Sequence, residues 1–137
     1  MSKRTYNLDD FLLQHELSTR WKDLDAFGHV NNAVFLSYIE DARILFFKRW
    51  NINYNERSLI VASVKIDYLR QVEHPTQLII GQRISRTGKT SFDIHSVIFD
   101  KETLEQVCES TIISVAFNFE IQKSVPVYQD IIDDYNI

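Results

Sequence analysis

Trp21 to Arg43 reads WKDLDAFGHVNNAVFLSYIEDAR, and the change of character at its middle decides the architecture. Up to Val30 the residues are loop-forming, with two aspartates, a glycine and a histidine and no hydrophobic period. From the asparagine pair onward the period is helical. Asn31 or Asn32 can cap this helix, because an Asn side-chain oxygen accepts from the free N–H groups of a first turn. The helix is predicted to run to about Trp50. On a helical wheel Phe35, Leu36, Tyr38, Ile39, Ala42, Leu45, Phe46 and Trp50 cover a wide arc, and Ser37, Glu40, Asp41 and Lys48 form a narrower polar stripe. So broad an apolar face predicts a helix nearly enclosed by other structure.

Outward from this stretch the period is two. Leu13, His15, Leu17, Thr19 and Trp21 alternate with polar neighbours, the pattern of a strand with one face buried. After the helix, strands are predicted around Ala62–Tyr68, Leu78–Ile84, Phe92–Ile98 and Val107–Phe117. They are separated by turns at 71–76 with Pro75, at 86–90 around Gly88 and at 100–103. Connections this short favour antiparallel neighbours. Pro126 to Tyr135 has helical spacing and predicts a short closing helix. The expected class is α+β, an antiparallel sheet wrapped around one long central helix and burying one side of each strand. A ferredoxin-like sandwich needs a second substantial helix between strands, for which these turns leave no room.

The 137 residues fit one domain, 1–137, large enough to bury roughly two thirds of the surface of the unfolded chain. With 45% hydrophobic and 25% charged residues the chain has an ordinary globular composition. A net charge of -4 gives no general attraction to nucleic acid or to an anionic membrane, so neither is an expected partner. The apolar runs are far below the ~18 residues of a membrane helix. MSKRTYNLDD lacks the apolar core of a secretory leader, which points to the cytoplasm. The single cysteine, Cys108, falls in a strand-like run and is expected to be a buried core residue.

Two features of the loop could carry chemistry. Asp25 is a carboxylate on the segment entering a helix, near N–H groups able to hold a carbonyl oxygen as negative charge develops. By spacing alone the commoner role of Asp23 and Asp25 is to satisfy loop backbone or the helix dipole, and a single loop histidine such as His29 is likewise more often structural than catalytic. His15, His29, His74 and His95 are scattered without ligand spacing, so no metal is expected. No P-loop, dinucleotide fingerprint or G-x-S-x-G elbow occurs.

The run DLDAFGHVNNAVFLSYIEDAR resembles the signature of hotdog-fold thioesterases of the 4-hydroxybenzoyl-CoA and acyl-CoA type, D-x-D-x-x-G-x-V followed on the helix by Y-x-E-x-A-R. KIDYLRQV and ISRTGKTSF resemble a later strand and the G-x-x-S turn of the same family. The resemblance implies a hotdog fold and hydrolysis of an acyl thioester without metal or redox cofactor, with Asp25 as base or nucleophile. It implies a polarising backbone N–H at Asn32, with Asn31 beside it, and a nucleotide-contacting turn at Arg86, Lys89, Thr90 and Ser91. Some members carry a histidine where Asn32 stands. Here the histidine is His29, as in acyl-ACP thioesterases, so CoA and acyl-carrier protein both stand as carriers. Another branch of the fold uses a helical carboxylate as its catalytic group, and Glu40 reads instead as structural, in an ion pair or buried hydrogen bond with a neighbour such as Arg43. The family also implies a homodimer, which pairs in some cases into a dimer of dimers, with active sites between subunits. A non-catalytic module that binds acyl thioesters and a hydratase of the same fold are the alternative classes.

Overall fold

The computed structural model describes residues 4–137; Met1–Lys3, the start of the stretch read above for a leader, lie outside the described residues. The elements are β1 (Leu13–Ser18), α1 (Asn32–Arg49), β2 (Ser58–Tyr68), β3 (Gln77–Thr87), β4 (Ser91–Asp100), β5 (Gln106–Asn118), β6 (Lys123–Ser124) and α2 (Gln129–Tyr135). All pairings are antiparallel in the order β1-β3-β4-β5-β2, with the two-residue β6 added beside β5. This is the hotdog arrangement.

The inner face of the sheet holds α1. Phe35, Tyr38, Ile39 and Ala42 form one cluster with Leu78, Ile80, Ile98, Cys108 and Ile112. Phe46 and Trp50 form a second with Ile84, Phe92 and Ile94, closed by Val127 and Ile131 from the tail. Full burial of side chains this size contributes about 1.5–3 kcal/mol each. The tail is fastened by Asp134, whose carboxylate accepts from Arg49 Nε and Nη2 at 2.8 Å each and from Trp50 Nε1 at 2.7 Å. Burial disfavours the Asp134 anion, but these donors outweigh it and hold its pKa below the usual carboxylate value. Cys108 is buried as expected, and burial pushes its thiol up to about 12.

The outer face is covered by the N-terminal segment. Phe11 packs on Ile79, Val97 and Phe99, with Tyr6 and Leu8 around it. Gly81 makes room for this: a Cβ there would lie 2.6 Å from Phe11 Cγ. Under the same cover, His95 Nδ1 accepts from Arg83 Nε at 3.1 Å, so the ring proton is on Nε2, which donates to Glu109 at 2.6 Å. With both its faces covered, β4 is buried over most of its length.

Two expectations need correction. The first strand ends at Ser18 rather than Trp21, because Thr19 N donates to Thr76 O and Arg20 N to the Asp23 carboxylate, turning the chain into a 3₁₀ turn over Trp21–Asp23. Trp21 is exposed. The second concerns β2, whose alternation predicted a half-buried strand. Among the described residues it pairs only with β5, and it bulges between Val61 and Ser63 and leaves Ile60, Val61, Val64 and Tyr68 exposed. An apolar strand left open along one edge is a template for another chain.

Candidate active site

The loop before α1 is a small closed structure. Leu24 and Val30 face each other across it, and Asp25 N donates to His29 O at 2.8 Å. Gly28, at φ +82°, takes the left-handed turn that a side chain would resist. Two long-range bonds fix the loop, Val30 N to Val72 O at 2.8 Å and Thr19 N to Thr76 O at 3.0 Å, and a local one, Asn31 N to Asp23 O at 2.9 Å, closes it.

The two aspartates do different work. Asp23 is 2% exposed and fully engaged, accepting from Arg20 N at 2.9 Å, Arg20 Nε at 3.3 Å, Arg20 Nη2 at 3.0 Å and the Tyr38 hydroxyl. Burial is the largest influence on its carboxyl and opposes ionisation. The Tyr38 and Arg20 hydrogen bonds overcome it and leave the pKa below the usual value. Burial and the Asp23 charge push the Tyr38 hydroxyl pKa up. Asp23 therefore ties the loop to α1 and to the end of β1.

Asp25 is half-buried. Its Oδ1 accepts from Phe27 N at 2.8 Å and His29 N at 3.3 Å, while Oδ2 has no partner among the described residues. The bonds to Oδ1 fix the orientation of the carboxylate. The neighbouring Phe27 is 86% exposed.

Asn31 is the cap of α1: its Oδ1 accepts from Ala33 N at 2.9 Å and its backbone oxygen from Val34 N at 2.9 Å. Asn32 is the first helical residue, and its N–H has no partner among the described residues, as expected of a first turn. The Asn32 carbonyl accepts from the Tyr68 hydroxyl at 3.0 Å, so this helix end sits at the far end of the open β2 edge. A free N–H at a helix start is suited to receive an oxyanion.

His29 points elsewhere. It borders a cleft of about 340 Å³ with Arg70, Glu73, Thr76 and Asp100, which Asp25 does not line. Its Nε2 is 3.9 Å from Glu73, and its buried Nδ1 is without a partner among the described residues.

Arg86, Lys89, Thr90 and Ser91 form the β3–β4 hairpin, at the end of β3 opposite the Asp25 loop. Ten residues of strand, about 30 Å, separate them. Arg86 is engaged, donating from Nε to Asp93 at 3.0 Å and from Nη2 to Ser91 Oγ at 3.0 Å. Lys89 is exposed, and its ammonium forms no ion pair among the described residues. One chain does not bring this turn to Asp25. Arg70 is paired with Asp100 at 2.8 Å. The Glu40–Arg43 pair is present at 2.7 Å. Among the described residues no three His, Cys, Asp or Glu gather as a metal site, and no helix is long and apolar enough to cross a membrane.

With this geometry in hand, the profile of the thioesterase-like superfamily matches residues 19–133. The chain belongs to the thioesterase-like superfamily. It is 37% identical over 87 residues to protein YsmA of Bacillus subtilis, covering 62% of this chain and 59% of that one. It is 29% identical over 105 residues to the chloroplastic acyl-acyl carrier protein thioesterase ATL3 of Arabidopsis thaliana, covering 73% and 55%. The chain thus spans less than two thirds of the length of the curated relatives it matches. A thioesterase from Thermus thermophilus, solved with coenzyme A and Zn, superposes with a TM-score of 0.79 at 28% identity over 93% of this chain and 99% of that one.

Sequence reasoning missed the Arg20–Asp23–Tyr38 knot and the burial of Arg43. The D-x-D spacing gave no means of telling an engaged aspartate from a free one. The signal for Arg43 was its place within the apolar arc of α1.

Proposed function

We propose that the protein hydrolyses acyl thioesters, acyl-CoA foremost, to a free acid and a thiol. The observation that carries this reading is Asp25, held by loop N–H groups on one oxygen and free on the other, on the segment leading to the unpaired N–H of Asn32. Asp25 attacks the thioester carbonyl or draws a proton from the attacking water, and the Asn32 N–H, with Asn31 fixing the turn, holds the developing oxyanion. The relative solved with coenzyme A supports CoA as carrier. The similarity to an acyl-acyl carrier protein thioesterase supports the carrier protein as second reading.

A homodimer completes the site in this reading. Ser91 pairs with Val115 and Val115 with Ile60, so the hairpin lies at the Ser58 end of β2, whereas Asn32 lies at the Tyr68 end. Antiparallel pairing of two β2 edges about a two-fold axis sets the Ser58 end of one copy beside the Tyr68 end of the other. The second copy's hairpin, with its free Lys89 and with Thr90 and Ser91, then approaches the helix start where the CoA phosphates would lie.

The test is thiol release from a panel of fatty and aryl acyl-CoAs and acyl-carrier proteins by the wild type and Asp25→Asn. Turnover should fall about 100 to 10,000-fold in the variant. Full activity in Asp25→Asn refutes the mechanism, and tight binding without turnover in the wild type replaces the hydrolase with a binding module.

A further inference from the structure

On the face of the sheet away from α1, under the N-terminal segment, lies a charged cluster that the proposed reaction does not use. His95 is at its centre, with a side chain only 7% exposed. It stands directly opposite Arg83 on β3 and Thr111 on β5. Its two ring nitrogens have opposite roles, Nδ1 accepting from Arg83 Nε at 3.1 Å and Nε2 donating to Glu109 at 2.6 Å. Only the neutral ring can do both, since a protonated imidazole donates from each nitrogen and a guanidinium has no acceptor. A proton on Nδ1 sets one N–H against another and one cation against another.

Arg83 carries that event to the N-terminal segment. Its guanidinium lies 5.4 Å from the centre of the Tyr6 ring and 5.2 Å from that of Phe11. Both rings also rest on His95, with ring centres 4.8 and 5.5 Å away. The group that must move when His95 takes up a proton is therefore packed against the two aromatic anchors of the segment. The charged and titratable groups facing the ring are Arg83 from β3, Glu109 from β5, and Arg4 and Tyr6 from the segment itself. Asp93 on β4 is taken by Arg86, and Asp10 by the Asn7 N–H at 2.9 Å. Burial, with the charges of Arg83 and Arg4, outweighs the Glu109 carboxylate and holds the His95 pKa below the ordinary histidine value. The polar ties that remain to the segment come from Gln106, which accepts from Tyr6 N and donates to Arg4 O at 2.7 Å.

We infer that His95, Arg83 and Glu109 form a proton-operated latch on the N-terminal segment. With the ring neutral the latch is closed. In mild acid a solvent proton binds Nδ1, Arg83 leaves it, and the segment carrying Tyr6 and Phe11 lifts off β3 and β4. Lifting bares the apolar strip of Ile79, Val97 and Phe99 that Phe11 covers. The latch lies on the opposite face of the sheet from α1, so the inference stands apart from the hydrolase reading. A histidine freed from the cluster takes up its proton near pH 6.5, and the latched ring does so only at lower pH. The closed form is therefore fully favoured above that pH. Below it each pH unit eases opening about tenfold, until the latched ring is itself protonated.

The experiment is backbone hydrogen exchange of the full chain from about pH 8 to about pH 4.5, corrected for the intrinsic pH dependence of exchange. Protection of the Tyr6, Asp10 and Phe11 amides should fall about 10-fold or more below about pH 6.5, while the buried amides of α1 keep theirs. The fall should level off at the pH where the His95 ring titrates by NMR. His95→Gln, whose amide can accept and donate but takes up no proton, should abolish the pH step. Constant protection of these amides in the wild type overturns the inference whether or not the variant folds. So does a fall that levels off away from the His95 titration, or one that persists in His95→Gln. A fall that α1 shares in full is global unfolding and overturns it too.

Discussion

Replacing Tyr38 by Phe removes one hydroxyl from a buried carboxylate and tests how the loop is held. In the native protein Asp23 accepts from Tyr38 and three times from Arg20, on a site 2% exposed. A hydrogen bond to a charged group contributes about 1.5–3 kcal/mol, so Tyr38→Phe should cost about 2 kcal/mol. Asp23→Asn, which keeps the shape and loses the charge, should cost a similar amount. Because the two act on one bond, the double variant should cost about 1–2 kcal/mol less than the sum of the singles. Asp25→Asn should stay within about 0.5 kcal/mol of the wild type, since an amide oxygen still accepts from Phe27 N. Urea denaturation of the four variants gives these values directly. The pH course supplies a second check. The folded Asp23 carboxyl lies below the unfolded reference of about 3.9. Its contribution is therefore complete above that pH and is lost as the pH falls through the folded value, so the gap between wild type and Tyr38→Phe should narrow in that acid range, and again above the unfolded tyrosine value of about 10, because the folded Tyr38 hydroxyl is raised. Asp134, lowered in the same way, adds to the acid loss common to both proteins. Equal costs for Asp23→Asn and Asp25→Asn, or none for Tyr38→Phe, would refute the division of labour between the two aspartates.

Two further outcomes follow from the packing. Gly81→Ala should destabilise by about 1–3 kcal/mol, because its Cβ meets the Phe11 ring, and hydrogen exchange should quicken first in residues 6–11. Val64→Lys on the open β2 edge leaves the monomer core untouched. It should shift sedimentation from dimer to monomer and reduce thioesterase activity with it; an unchanged mass would place the subunit contact elsewhere.

The architecture was legible because periodicity reports burial. The broad apolar arc of α1 and the two-residue period of β3, β4 and β5 predicted elements that match the structure closely. Where the period misled, at β2, Val61 and Val64 have the pattern of core residues and yet face solvent. Trp21 extended a strand pattern that the Asp23 carboxylate in fact ends. In the site, the family motif marked Asp25 and the helix start, and the cap proved to be Asn31. The motif could not show that Arg86 is already committed to Asp93 or that His29 lines a separate cleft, since both depend on neighbours distant in sequence.

The bonds that pin the loop also bear on the order in which activity can arise. Val30 is held by Val72 and Thr19 by Thr76, contacts that span 42 and 57 residues. Such long closures form after local turns and helices. During synthesis, a nascent chain that has reached Trp50 already contains every residue of the motif and can wind α1, yet Asp25 has no fixed place until residues 72–76 are available to seat it. The seating of Asp25 is thus a late property of folding. A chain arrested or cleaved within the turn before β3 would carry the motif without the means of holding it.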